Sequence, residues 1–403
     1  MASVSRRLPT LGIKLDRFEL SGAFADVGVL VPIAVALIVT NGLSATAVLL
    51  PAGLLYAAVA VVYQLPIAVQ PLKAFGAIAI AEGFGADEIA AGALLMGAIF
   101  LVLGLSGIVD AAGRAFPRPL IRGIQLTVGL LFLRIAWDLV STPPDAFDAH
   151  GLSSPTLAAL AALVLAALAL RRRLPVALIL VLVGAVVMLA SADGGIEVGP
   201  SSIEAPSLDA GVFWAAFTAL VLPQAPLSFA NSCLAPADAA RAYFGDRASR
   251  VTPGRLATTL GLANVVSGGV AGMPVCHGAG GLTAHYALGA RTAAAPAVMA
   301  ATLVGLAVGL GAGLAVLLPG FPLPILAGLL AGAGILHIGL LRDLRGTWAW
   351  VVALAIGATG FLLDLAVGLA MGLILWWGPI LVAKVLGRPA AEPKPASASS
   401  VRE

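Results

Sequence analysis

The sequence predicts an all-α polytopic membrane protein of fourteen spans, built as two seven-span halves of opposite topology. Three observations lead there. Of 403 residues, 60% are hydrophobic and 11% charged, with a mean hydropathy of +1.03, and a soluble fold must clothe itself in more polar surface than that. Apolar runs of about 20 residues, the length that crosses a hydrocarbon core, recur along the whole chain. Two runs, LPIAVQPLKAFG (65–76) and MPVCHGAGGLTA (273–284), are interrupted instead by a proline, a few extended residues and the start of a short helix.

In chain order the expected spans are 19–40, 44–63, a short 71–82, 88–110, 118–140, 154–170 and 174–191. The second set is 211–233, 254–271, a short 277–289, 294–318, 323–338, 346–361 and 363–384. Residues 1–17 are basic, but Asp26 and Pro32 follow with no small-residue cleavage site, so no removable signal peptide is expected. After Lys384 only a Pro/Ala/Ser segment, 386–403, is expected, as a disordered tail. Forty-seven glycines suit helices that approach through small residues. Cys233 and Cys276, both in apolar runs, make no disulfide framework. No metal site or cofactor is expected, and the pI near 9.1 reflects loop arginines rather than a nucleic-acid partner.

Loop charge sets the orientation. With the N-terminus inside, all of the 23 Lys and Arg residues except Lys73 and Arg134 fall in internal segments, and the external loops hold none. This holds only if spans 3 and 10 each start at mid-membrane. Leu65-Pro66-Ile67-Ala68 lines up with Met273-Pro274-Val275-Cys276 at the same ordinal place in each half, and seven is odd, so the halves are inverted.

Irregular backbone at membrane depth persists only where protein or a wet cavity satisfies it. The positive end of a helix favours anions, so two half-helix starts at mid-membrane predict an anion carrier. In the first break, Pro71 suits the first helical position. Gln70 either donates to an oxyanion or caps the helix. Lys73 contacts the anion, pairs with Asp26 or snorkels to an interface. In the second, Gly278, Ala279, Gly280 and Gly281 allow close approach of backbone to a ligand, with tight helix packing as the plainer reading. His277 touches substrate, relays a proton or bonds a carbonyl, and Cys276 suits packing. Asp26, an intramembrane carboxylate, is a proton or sodium coupling candidate or a partner for Lys73. Pro223, Gln224, Pro226 and Asn231 are expected to interrupt span 8, with Gln224 facing the cavity. Glu19 reads as interfacial, Arg134 and Asp138 as a pair on one helix face, Asp110 and Asp364 as span-end contacts, and His285 and His337 as structural.

At these residues the chain resembles the molybdate transporter family, a branch related to the sulfate permeases. The matching stretches are SGAFADVGVLVP, LPIAVQPLKAFGAIA, LPQAPLSFANS and MPVCHGAGGL followed by YALGAR, spread over roughly 19–291. The resemblance implies a core made of spans 1–4 and 8–11 (17–112 and 211–318), a gate made of spans 5–7 and 12–14 (113–192 and 319–385), and a site between the two half-helix starts. A more polar residue would be expected where Val29 or Val31 stands, which keeps sulfate open beside molybdate.

The expected function is import of a tetrahedral oxyanion across a bacterial-type inner membrane, both termini cytoplasmic, by alternating access and coupled to a proton or sodium. A homodimer is compatible with this. A nucleobase permease needs a ligand-facing carboxylate and aromatic surface, and only 6% of the chain is aromatic. An intramembrane enzyme using Cys276 and His277 is disfavoured, because adjacent helical residues point about 100° apart. A passive anion channel is the reading that the sequence separates least.

Overall fold

Apolar runs here become helices, a few of them capped at their starts by Asp16, Ser44, Asp209 or Thr252. In the computed structural model, which describes residues 15–143, 176–192, 196–363 and 365–386, the described residues are mostly helical. The expected span 154–170, residues 387–403 of the expected tail, and Asp364 lie outside the described residues. Helix α1 (Arg17–Ala23) is capped by Asp16, whose carboxylate accepts from the amides of Phe18 and Glu19. A 3₁₀ turn, Phe24–Asp26, leads into α2 (Val27–Val39). Then come α3 (Ala45–Val62), strand β1 (Gln70–Pro71), α4 (Lys73–Ala81), α5 (Ala86–Leu105), α6 (Ile108–Ala115) and α7 (Arg118–Ser141). Helix α8 is Val176–Ala190.

The second half opens with α9, one continuous helix over Ala210–Arg250, followed by α10 (Pro253–Gly269). Strand β2 (Val275–Cys276), α11 (Ala279–Ala287), α12 (Ala294–Gly309) and α13 (Leu314–Leu317) come next. Helices α14 (Leu323–Ile338), α15 (Thr347–Leu362) and α16 (Leu365–Val385) complete the described chain. Among the described residues, four helices are long and apolar enough to cross a membrane, or six if two bent helix pairs each count as one span.

Three expectations need correction. Pro223 and Pro226 do not interrupt α9, because π-helical turns at Phe217–Val221 and Phe229–Leu234 flank them. The wider turns shift the hydrogen-bond register around residues that have no amide proton, so the helix bends without breaking. The expected span 88–110 ends at Leu105, where Gly107 turns left-handed (φ 73°) and starts α6. The expected span 294–318 folds by 111° between α12 and α13. There the carbonyl of Gly309 accepts from Gly199 and the amide of Ala312 donates back to Gly199, so the loop before α9 satisfies the broken helix end.

Packing sorts the helices into two groups. Helix α10 lies along α5 and against α3, which in turn packs on α12; α7 packs along α14 and α15, and α15 against α16. Helix α11 touches both groups, meeting α14 on one side and α9 on the other.

The α5–α10 contact is a glycine seam. A Cβ on Gly97 would lie 2.8 Å from the amide nitrogen of Val265, one on Gly261 2.5 Å from that of Leu101, and one on Gly268 2.8 Å from the carbonyl of Ala90. Backbone atoms cannot give way as side-chain tips can, so these positions fix the interaxial distance. Gly261→Ile is therefore expected to destabilise the purified protein by about 1–3 kcal/mol in thermal unfolding. Gly305→Ala, where nothing lies within 4 Å, is expected to leave the midpoint unchanged.

Candidate functional site

Both breaks begin the same way. Helix α3 ends and Gln64 takes a left-handed conformation (φ 57°); α10 ends and Ala271 does likewise (φ 49°). This costs a non-glycine residue about 1–2 kcal/mol, so the surroundings must hold both turns. The chains then run extended and meet. β1 pairs antiparallel with β2, Gln70 opposite Cys276 and Pro71 opposite Val275. The amide of Leu72 donates to the carbonyl of Pro274 at 3.0 Å.

Helix α10 satisfies the outer edge of β2. Asn264 accepts from the amide of Val275 at 2.7 Å and donates to its carbonyl at 2.9 Å, as a neighbouring strand would. Ser267 Oγ donates to the carbonyl of Met273 at 2.5 Å. The irregular backbone is thus paired within the protein.

From these strands two short helices start side by side. Neither Leu72, which caps α4, nor Gly278, which caps α11, offers a side chain to the first turn. The amides of Lys73 and Ala74, and of Ala279, Gly280 and Gly281, precede the first helical bonds, which close at Gly76 and Leu282. The third amide of α4, on Phe75, donates instead to Gln224 Oε1 at 2.9 Å, and Gln224 Nε2 donates to Ser228. Gln224 reaches the site, as a cap on α4.

The glycines of α11 make room for specific neighbours. A Cβ on Gly278 would overlap Gln70 and sit 3.3 Å from Lys73 Nζ. One on Gly281 would sit 2.5 Å from Asp26 Oδ1, and one on Gly280 would overlap the ring of Phe132 on α7. Asp26, Gln70 and Phe132 are fully buried and Lys73 half-buried. Lys73 Nζ lies 5.4 Å from the Phe132 ring centroid, within cation–π range.

One hydrogen-bond chain joins the charged groups. Lys73 Nζ donates to Gln70 Oε1 at 2.7 Å, and Gln70 Nε2 donates to Asp26 Oδ1. Asp26 Oδ2 accepts from the hydroxyl of Tyr56 at 3.0 Å and lies 3.6 Å from His285 Nε2. The direct Lys73–Asp26 pair considered from the sequence is not formed: Gln70 sits between them as an amide bridge.

The other expected residues fall in different places. Pro71 is in β1, two residues before α4 starts, rather than at the first helical position. Cys276 Sγ lies 3.6 Å from the carbonyl of Pro71. His277 uses both ring nitrogens, Nδ1 donating to Ala68 O at 3.1 Å and Nε2 meeting Thr259 Oγ1 at 2.8 Å. Asn231 is buried with Oδ1 unpartnered. Glu19 is buried within the protein, accepting from the amides of Arg291 and Thr292 and from the Thr292 hydroxyl. Arg134 and Asp138 approach to 3.8 Å, both exposed, and Asp110 accepts from the amide of Gly254.

Sequence reasoning missed Tyr56, Phe132, Asn264 and the place of His285. His285 had a signal: it follows Gly281 by four residues, hence shares its helix face. A mid-span tyrosine whose hydroxyl needs a partner was the signal for Tyr56; Phe132 and Asn264 left none. Also unforeseen is a cavity of about 720 Å³ lined by Arg118, Arg122, Asp238, Arg241 and Asp343. There the buried Arg122 guanidinium pairs with Asp238 of α9 and Asp343. Asn264→Leu strands both backbone groups of Val275. We expect it to lower stability by about 2 kcal/mol or more in thermal unfolding, with Asn264→Asp losing less.

Comparison with known proteins is consistent in one direction. The profile of the family described as "Molybdate transporter of MFS superfamily" matches residues 18–132 and 216–336. Molybdate transporter 1 of Arabidopsis thaliana is 28% identical over 398 residues, covering 89% of this chain and 87% of its own length. Molybdate transporter 1 of Chlamydomonas reinhardtii is 40% identical over 162 residues, covering 37% of this chain and 31% of its own length. The transmembrane domain of a cyanobacterium bicarbonate transporter, BicA, superposes with a TM-score of 0.58 at 18% identity, covering 87% of this chain and 97% of that one. Murine solute carrier 26 family member A9, an anion transporter in the inward-facing state, gives 0.61 at 16% identity, covering 94% and 70%.

Proposed function

We propose that this chain, which belongs to the molybdate transporter family, imports a tetrahedral dianion, molybdate first and sulfate second, by alternating access. Family and fold make it a multi-pass membrane transporter rather than an enzyme. The observation that carries the finer reading is the meeting, beside one lysine, of two half-helix starts whose N-cap residues offer no side chain to the first turn. The anion sits between them, held by the free amides of α4 and α11 and by Lys73. Gln70 and Gln224 hold Lys73 and α4 in place. A fixed set of N–H donors in a site without competing water suits an oxyanion and carries no charge of its own.

The inverted seven-plus-seven repeat is part of this proposal. It is supported by the paired left-handed turns at Gln64 and Ala271 and by the strand register. Taking the helix starts as equivalent relates Lys73 to Ala279, an offset of 279 − 73 = 206, and the same offset relates Gln70 to Cys276, which face each other across the ladder. The core would be 17–112 with 211–318, and the gate 113–192 with 319–385. Phe132, on the gate side, covers the glycine face of α11. Loop charge puts both termini in the cytoplasm of a bacterial-type cell.

A dianion moving inward against an inside-negative potential costs about 2.3 kcal/mol per charge per 100 mV. A co-transported proton offsets part of that, and Asp26 is the membrane carboxylate nearest Lys73 along the hydrogen-bond chain. His277, with both nitrogens engaged, fits the coupling role less well.

Lys73→Met is expected to lower molybdate uptake by proteoliposomes about tenfold or more, a loss of about 1.4 kcal/mol, with normal yield and unfolding temperature. Wild-type uptake in that variant would remove Lys73 from the site. Labelled molybdate accumulated above its outside concentration should be released by a protonophore. Flux that only ever runs downhill would overturn the coupled-carrier reading.

A further inference from the structure

We propose that Asp26 and His285 form a dyad that holds the coupling proton between Asp26 Oδ2 and His285 Nε2. It rests on the reading of the chain as a proton-coupled oxyanion importer, and it assigns the proton a place.

The argument is one of donors and acceptors. His285 Nδ1 lies 2.6 Å from the carbonyl of Gly22. A carbonyl cannot donate, so Nδ1 carries the hydrogen. In the neutral ring Nε2 then has only a lone pair, and it faces Asp26 Oδ2 at 3.6 Å and the Tyr56 oxygen at 3.5 Å. The tyrosine hydrogen is already committed, donated to Oδ2 at 3.0 Å. Lone pair therefore meets carboxylate, with both groups fully buried, unless one more proton lies between them. That proton makes either an imidazolium–carboxylate pair or a protonated Asp26 bonded to Nε2; the count is the same. The neutral histidine is thus a half-finished contact that one proton completes.

The dyad is wired to the anion site. Asp26 Oδ1 accepts from Gln70 Nε2, and Gln70 Oε1 accepts from Lys73. Without the extra proton, Asp26 and Lys73 cancel. With it, the assembly carries one net positive charge facing the incoming dianion. Proton binding favours anion binding, and linkage requires the reverse by the same factor.

Other ionisable groups on the elements around the pair are committed elsewhere or turned to the surface, except His337, whose buried Nε2 has no partner. On α1, Glu19 accepts from Arg291 and Thr292, and Arg17 is exposed. On α11, the Tyr286 ring stacks on Tyr243 and lies under the Arg291 guanidinium. On α14, His337 Nδ1 bonds Thr283 Oγ1, which also accepts from Tyr243 of α9. Arg122 of α7 pairs with Asp238 of α9 and with Asp343. Arg134 and Asp138 of α7 pair with each other, and Arg118 of α7 and Arg241 of α9 are exposed. Cys276 in β2 bonds the carbonyl of Pro71. Helix α8, which also meets the Phe24–Asp26 turn, carries no ionisable residue.

The test is molybdate titration of the purified protein in two buffers of different ionisation enthalpy, which counts protons taken up per anion bound. Wild type should take up about one, and His285→Gln about none, while still binding molybdate, more weakly than wild type as the linkage requires. His337→Gln should keep the wild-type count. If His285→Gln fails to fold, Tyr56→Phe removes a hydrogen bond to Oδ2 but no charge. It should move the pH midpoint of proton uptake by about half a pH unit or more. Proton uptake unchanged in His285→Gln, an unmoved midpoint in Tyr56→Phe, or wild-type binding with no proton uptake would each overturn the dyad. Absence of molybdate binding by wild type would instead overturn the transport reading.

Discussion

Backbone that leaves a helix inside a bilayer must find its hydrogen bonds within the protein, and this molecule meets that demand twice with one short ladder. The strand that precedes α4 satisfies the strand that precedes α11, and Asn264 and Ser267 supply the missing edge. Much of the centre follows from that pairing. It brings two helix starts together from the two halves of the sequence, it places Gln70 against Gly278, and it leaves the N-cap positions of both helices without a side-chain cap. The left-handed turns at Gln64 and Ala271 are the strain this geometry carries.

Charge is handled with similar economy. Lys73 and Asp26 are opposite charges in a buried region, and a direct pair would have consumed both. Gln70 instead holds each at one end of its amide. The amide transmits polarisation between them while leaving the ammonium half-exposed. The cost is geometric: Gln70 fits only because residue 278 has no side chain.

Much of this was legible in the sequence because the bilayer enforces simple rules. Span lengths, loop arginines and proline-led breaks are one-dimensional signals, and α14, expected over 323–338, spans Leu323–Ile338. The half-helices starting near Lys73 and Ala279 were visible for the same reason. What stayed hidden was how side chains resolve local conflicts. The π turns around Pro223 and Pro226 look like breaks in sequence, because a proline announces a missing donor but not the register shift that absorbs it. The fold between α12 and α13 depends on Gly199, about 110 residues upstream, closing the bonds of Gly309 and Ala312. His285 looked structural, since its meaning comes from Asp26, more than 250 residues earlier.

The two-stranded ladder also restricts how such a molecule can move. Because each strand is the other's hydrogen-bond partner, prising α4 from α11 would expose peptide groups to hydrocarbon, at several kcal/mol apiece. An anion site of the kind proposed between them would therefore be cargo-bay and wall in one piece: it could be ferried, tilted or uncovered, but not opened along its own seam. In the proposed cycle the gate has to yield instead, and its contacts with the core differ in kind: a Phe132 ring against bare Gly280 can slide freely, whereas His337 against Thr283 and Arg122 against Asp238 have polar bonds to exchange.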